Sequence, residues 1–168
     1  WTDLGTGSGA LAVGLARSLP DWVGHAVDVS KPSLLIAKKN LYRLAPQNNV
    51  RFHLGDWWEP LKPWWGHLDL VVSNPPYVPC SVLENLDPIV RDHEPHLALN
   101  GGTDGMDSCK KIVEGAMKAL SPKGILMFEH HYDQSEKALK LLVEYGFTEV
   151  DFHHDLEGLR RFAIGRHP

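Results

Sequence analysis

Apolar positions along the chain recur in two alternating rhythms. Residues 1–4 end a short strand. Residues 8–19 have helical spacing, with Ala10, Leu11, Val13, Leu15 and Ala16 apolar and Pro20 as the stop. Residues 22–28 predict a second strand ending on an acid, Asp28. Ser30 and Pro32 supply the cap and first turn of a helix expected to run to about Leu44. Residues 49–54 and 68–73 predict two more strands, the latter apolar enough to be central. An irregular stretch over 74–103 follows, rich in proline and glycine, and loops this long inside a domain are usually functional. A helix over 105–120, a strand over 124–129 and a helix over 134–145, stopped by Gly146, restore the alternation. Residues 147–153 and 160–166 then read as strands joined by a turn around Asp155–Gly158. With no helix between them they must pair antiparallel. The fold class is α/β, a mostly parallel sheet covered on both faces and closed by a C-terminal antiparallel hairpin.

Composition narrows the class without changing that architecture. A chain of 168 residues suits one domain over residues 1–168. The net charge of -4 argues against a basic nucleic-acid surface, and Lys31, Lys38, Lys39 and Arg43 read as a solvated helix face. Cys80 and Cys109 make no disulfide framework, and Cys80 reads as a structural thiol although it is close to the proline-rich loop. His130-His131 and His153-His154 are adjacent pairs whose side chains diverge, and there is no H-E-x-x-H, so no metal is expected. No apolar run approaches the ~20 residues of a membrane span. The chain opens in mid-strand, and its first strand is expected to be truncated.

Three sequence features imply a nucleoside crevice. Asp3-Leu4-Gly5-Thr6-Gly7-Ser8-Gly9 joins a strand to a helix. Its glycines permit a tight turn and close approach of a ligand to backbone. The G-x-G-x-G spacing differs from the G-x-G-x-x-G of nicotinamide sites. Asp28, about 20 residues beyond the loop, is spaced to accept hydrogen bonds from ribose hydroxyls. Asp56 or Trp57, after the third strand, could meet an adenine by accepting from its amine or stacking on its face. Packing beside Trp64 and Trp65 explains Trp57 equally well.

Asn74-Pro75-Pro76-Tyr77, directly after the fourth strand, is the most specific motif. Two prolines fix φ and remove two N–H donors, leaving a stiff loop rich in carbonyl acceptors. Asn74 adds a side-chain acceptor. Two acceptors at about 3 Å can grip both hydrogens of an NH2 group and aim its nitrogen at an electrophile. Tyr77 can stack on a flat π-system.

These residues resemble the HemK/PrmC family, glutamine methyltransferases that act on translation termination factors, from Asp3 to about Arg166. The resemblance extends to Gly55-Asp56-Trp57-Trp58-Glu59-Pro60-Leu61, Glu94-Pro95-His96-Leu97-Ala98-Leu99, Gly101-Gly102-Thr103-Asp104-Gly105 and Asp155-Leu156-Glu157-Gly158 before Arg161. The Asn-Pro-Pro-Tyr motif alone is shared with adenine-N6 methyltransferases. The Glu94–Gly105 block and the short C-terminal ending favour the glutamine branch.

The resemblance implies a Rossmann-like class I fold and the cofactor S-adenosylmethionine. The cofactor would be held by Asp3 and the glycine loop after it (Gly5, Thr6, Gly7, Ser8, Gly9), and by Asp28, Asp56, Trp57 and Asn74. It implies that Asn74, Pro75, Pro76 and Tyr77 hold the substrate amide, with Asn74, Pro75 and Tyr77 catalytic. The implied partner is the Gly-Gly-Gln loop of a peptide chain release factor, with no membrane and no direct nucleic-acid contact. The implied compartment is the cytoplasm, or a mitochondrial or plastid matrix. Two departures stand out. Glu129-His130-His131 replaces the family's Glu-Ile-Gly, and the family's N-terminal helical domain has no counterpart in the sequence. An adenine-N6 methyltransferase of DNA or RNA and an inactive cofactor-binding fragment remain alternative readings.

Overall fold

The alternating rhythm becomes alternating elements. The computed structural model describes residues 1–83 and 95–168. The chain runs β1 (Thr2–Leu4), α1 (Ala10–Ser18), β2 (Gly24–Asp28), α2 (Lys31–Leu44), β3 (Val50–Leu54) and β4 (Leu68–Ser73). Then come two single-turn helices, α3 (Cys80–Leu83) and α4 (His96–Leu99), followed by α5 (Asp107–Ala119), β5 (Leu120–Glu129), α6 (Ser135–Glu144), β6 (Thr148–His154) and β7 (Arg160–Arg166). Short 3-10 turns cover Glu59–Trp64 and Tyr132–Gln134. The sheet order is β3-β2-β1-β4-β5-β7-β6. All pairs from β3 to β5 are parallel, whereas β7 pairs antiparallel with both β5 and β6.

Two apolar layers hold the sheet. Ala12, Val13, Ala16, Ala26 and Leu41 join α1 and α2 to one cluster. Leu4, Val27, Val71, Ile112, Leu126, Phe128 and Leu142 join α5 and α6 to the other. Neighbours Ala26 and Val27 serve opposite clusters because successive strand side chains point to opposite faces. The chain leaves β1 toward β2 and β3, then returns to pair β4 against the other edge of β1. That reversal opens a crevice at the carboxyl ends of β1 and β4.

Several boundaries differ from the periodic reading, each for a local reason. Helix α1 starts at Ala10 rather than residue 8, because Gly7 and Gly9 take positive φ of 55° and 84°. Strand β5 starts at Leu120, not 124, since Leu120 pairs with Leu68 ahead of a register shift. The irregular stretch holds α3, α4 and a bridge between Val78 and Asn100. The helix caps follow the sequence more closely. The Ser30 hydroxyl accepts from Ser33 N at 3.3 Å, and Gly146 ends α6 at φ 89°.

Candidate functional site

The glycine loop is shaped from beneath by β2. Gly5 N and Thr6 N both donate to Val27 O at 2.9 Å. Gly7 N donates to Asp28 Oδ2 at 2.8 Å, and Ser30 N to Asp28 Oδ1 at 2.8 Å. Asp28 therefore ties the glycine loop to the turn before α2 and keeps lone pairs for a ligand's hydroxyls.

Asp3 lies behind the loop. Its Oδ2 accepts Thr6 Oγ1 at 2.7 Å and Ala12 N at 3.1 Å, while the buried Oδ1 has no partner among the described residues. Burial raises its pKa to about 6 against the opposing pull of those two donors, and the Asp28 charge raises it further.

A cavity of about 740 Å³ opens over this loop, a volume in the ordinary range for cofactor sites. Gly5, Gly7, Asp28, Asp56, Trp57, Asn74 and Pro76 lie on its wall together. Asp3, Thr6, Ser8, Gly9, Pro75 and Tyr77 stand outside the wall. The Thr6 hydroxyl is spent on Asp3, Ser8 is exposed with its carbonyl taken by Asn40 Nδ2, and Gly9 meets Ala37. Trp57 does two things at once, lining the cavity and packing against the core. The packing role falls more fully on Trp58, which is buried and donates from Nε1 to Lys111 O at 3.1 Å.

The Asn74–Tyr77 loop is built on the end of β4. Ser73 Oγ donates to Leu4 O at 2.7 Å and locks that end to β1. Asn74 is exposed at the cavity, Pro75 is buried, and the half-buried Tyr77 donates its hydroxyl to Glu129 Oε1 at 3.1 Å. Burial, then the Glu129 charge, raises the Tyr77 pKa.

Gly101-Gly102-Thr103-Asp104-Gly105 packs on this loop. A Cβ on Gly101 would lie 2.8 Å from Tyr77 Cα, and one on Gly105 would strike Tyr77 O and Gln134 Nε2. Glu94, which opens the other block of the resemblance, lies outside the described residues. Pro95, Ala98, Asn100 and Gly102 line the cavity, as do Asp107, Ser108 and Lys111 from the first turns of α5. These α5 residues carry no motif that a sequence reading could recognise.

The Glu129-His130-His131 departure forms a turn beside Tyr77. His130 is fully buried, with Nδ1 against His131 O at 2.8 Å and Nε2 without a partner among the described residues, and burial lowers its pKa. His131 is paired with Asp133 at 2.7 Å. Among the described residues no three His, Cys, Asp or Glu converge as a metal set, and no helix is long and apolar enough to cross a membrane.

A methyltransferase domain family model matches residues 2–157. The chain belongs to this methyltransferase domain family. A release factor glutamine methyltransferase of Prochlorococcus marinus is 62% identical over 168 residues, covering 100% of this methyltransferase domain and 57% of that relative. The protein of the same name from Thermosynechococcus vestitus is 42% identical, with 100% and 58% covered. The chain thus spans a little over half the length of these curated relatives. Among solved structures, the ribosomal protein L11 methylase from Lactobacillus delbrueckii subsp. bulgaricus superposes with TM-score 0.69 at 21% identity, over 99% of this chain and 69% of that one. The S-adenosylmethionine-dependent methyltransferase SibL gives 0.66 at 18%, over 99% and 50%. At such identities the likeness concerns the fold. It is the class I methyltransferase fold, α/β with the antiparallel β6–β7 ending.

Proposed function

We propose that this domain transfers a methyl group from S-adenosylmethionine to the side-chain amide nitrogen of a glutamine in a translation release factor. The observation that carries the reading is that Asn74 shares one cavity wall with Gly5, Gly7 and Asp28. A nitrogen-gripping motif thereby faces a nucleoside-type crevice. The Gly101–Gly105 block, which the glutamine branch adds to that motif, packs on the same loop. The names of the relatives agree with this reading.

The residues present fit the cofactor. Asp28 retains acceptor capacity toward ribose hydroxyls, and Gly5 and Gly7 on the same wall let a ligand approach the backbone closely. Trp57 and Asp56 flank the place for an adenine. When bound, the cofactor supplies an electrophilic methyl group on a sulfonium.

The chain supplies orientation. The Asn74 side-chain oxygen and the Pro75 carbonyl accept the two N–H groups of the substrate amide. These bonds strengthen as charge shifts on the nitrogen, which favours the transition state over the delocalised ground state. Fixed geometry contributes much of the remaining acceleration. The proton leaves after methylation has made it acidic, so no strong base is needed beforehand. Tyr77, held by Glu129, offers a fixed aromatic face beside the amide.

The partner segment would be the Gly-Gly-Gln loop of the release factor, met in the cytoplasm or an organelle matrix without nucleic acid. The test is mass spectrometry after incubating the full chain and labelled cofactor with a Gly-Gly-Gln peptide or with nucleic acid. Methylated glutamine supports the proposal. Methylated adenine with unmodified peptide, or cofactor binding without turnover on either, overturns it.

A further inference from the structure

A loop can aim its acceptors only if the backbone that carries them is pinned on both sides. Pro75 and Pro76 stiffen the loop but remove two donors that could have tied it down. On the far side, Val78 N donates to Leu99 O and Gly101 N to Val78 O, each at 2.9 Å. Tyr77 directly precedes Val78, sharing a peptide unit with the Val78 N–H, and its carbonyl accepts from Gln134 Nε2 at 3.0 Å. The same nitrogen reaches Asp104 O at 3.4 Å, while Gln134 Oε1 accepts His131 N at 2.9 Å. Gln134 is only 3% exposed, so water does not replace these partners easily. The glycine at 105 leaves the space in which the amide meets Tyr77 O. One side chain thus clamps the substrate loop, the glycine block and the turn after β5.

We infer that Gln134 is a positioning residue for methyl transfer. Its side-chain amide fixes the Tyr77 peptide unit, and through it the direction in which Asn74 and the Pro75 carbonyl face the substrate. The inference rests on the reading of that loop as the amide-gripping element. The chemistry calls for glutamine in particular. The clamp needs a donor toward Tyr77 O and an acceptor toward His131 N on one short planar group. A carboxylate supplies only the acceptor, and a thioether supplies neither.

The decisive variant, made in the full chain, is Gln134→Glu. It keeps the shape and the acceptor, and it can donate to Tyr77 O only when protonated. At alkaline pH, kcat on a Gly-Gly-Gln peptide is expected to fall about ten-fold or more, with the cofactor Kd by calorimetry held within about two-fold. The ratio of variant to wild-type kcat then recovers as the pH is lowered and the carboxyl takes up its proton. Gln134→Met, which keeps the bulk alone, stays low at every pH. Hydrogen exchange at the Val78 and Gly101 amides speeds up in both variants, with Glu measured at alkaline pH.

A role in packing alone would give no pH-dependent ratio. A Glu-to-wild-type ratio that is flat with pH, or unchanged exchange at Val78 and Gly101, overturns the inference. A wild-type chain that leaves glutamine unmethylated would instead sink the substrate reading. Exchange at those two amides then decides the clamp by itself.

Discussion

Asn74 and Asp3 illustrate how differently two polar residues of one site are used. Asn74 is exposed on the cavity wall and makes no side-chain hydrogen bond among the described residues, so on the proposed reading its removal acts on chemistry more than on the fold. Asn74→Ala is expected to lower kcat by about 10²–10³-fold while shifting the cofactor Kd little, which steady-state kinetics and calorimetry can separate. Asp3 is buried, and its pKa is raised by desolvation from 3.8 to about 6. The folded state therefore holds that proton more tightly than the unfolded state. The resulting stability is fully present below about pH 4 and is lost as the pH rises through about 6. The change amounts to about 3 kcal/mol. Wild type compared with Asp3→Asn by chemical denaturation without cofactor should show that difference, and a gap constant with pH would contradict it.

His25 works in the opposite sense. Burial first, then the charges of His53 and Arg51, lower its pKa from 6.5 to about 4. Its contribution is present above about pH 6.5 and is lost as the pH falls through about 4. His25 Nδ1 meets His53 Nε2 at 2.9 Å beneath the Trp64 ring. Melting curves of His25→Leu against wild type should therefore converge toward acid pH.

At the scale of elements, the join between α1 and α2 depends on a missing atom. Gly9 has a φ of 84°, and a Cβ there would lie 2.9 Å from Ala37 Cα and Cβ. Gly9→Ala should cost about 2 kcal/mol or more, from left-handed strain and overpacking together, and should weaken cofactor binding because the loop moves with the helix. A variant that melts with wild type would refute this.

The same elements indicate what a linear sequence can carry. Helices α1, α2, α5 and α6 and the parallel strands were readable because each repeats its period for several residues. The four-residue helices α3 and α4 and the 3-10 turn at Glu59–Trp64 are too short to establish one. The glycine loop, Asp28 and Asn74 were readable because their spacing is local to a strand end. Gln134 was not, since its acceptors Tyr77 and Asp104 lie 57 and 30 positions away. Asp3 stands in the same motif, but it belongs to β1 and its buried carboxylate is engaged by Thr6 and Ala12 instead of facing the cavity.

Across the whole molecule, the crevice lies over the two apolar layers, and Asp28 on its wall ties the glycine loop to the turn before α2. Saturation with S-adenosylmethionine at 100 times its Kd should raise unfolding stability by about 2.7 kcal/mol, seen as a rise in Tm of several degrees. Asp28→Ala removes the acceptor shared by Gly7 N and Ser30 N and should abolish most of that rise. An unchanged ligand-induced shift would show that the crevice is assembled without it.

The position of β7 between β5 and β6 has a consequence for synthesis. Strand β6 pairs with β7, and β7 also covers the edge of β5 over Ile125–Glu129. Arg161 in β7 also accepts His130 N at 2.9 Å, steadying the turn that leads to Gln134. A nascent chain halted after Leu159 would therefore lack β7, leave β6 and the β5 edge unpaired, and lose the main-chain acceptor that steadies the turn before Gln134. The turn that carries Gln134 thus depends on a strand translated after it, and an interrupted message yields a polypeptide with an open, aggregation-prone edge.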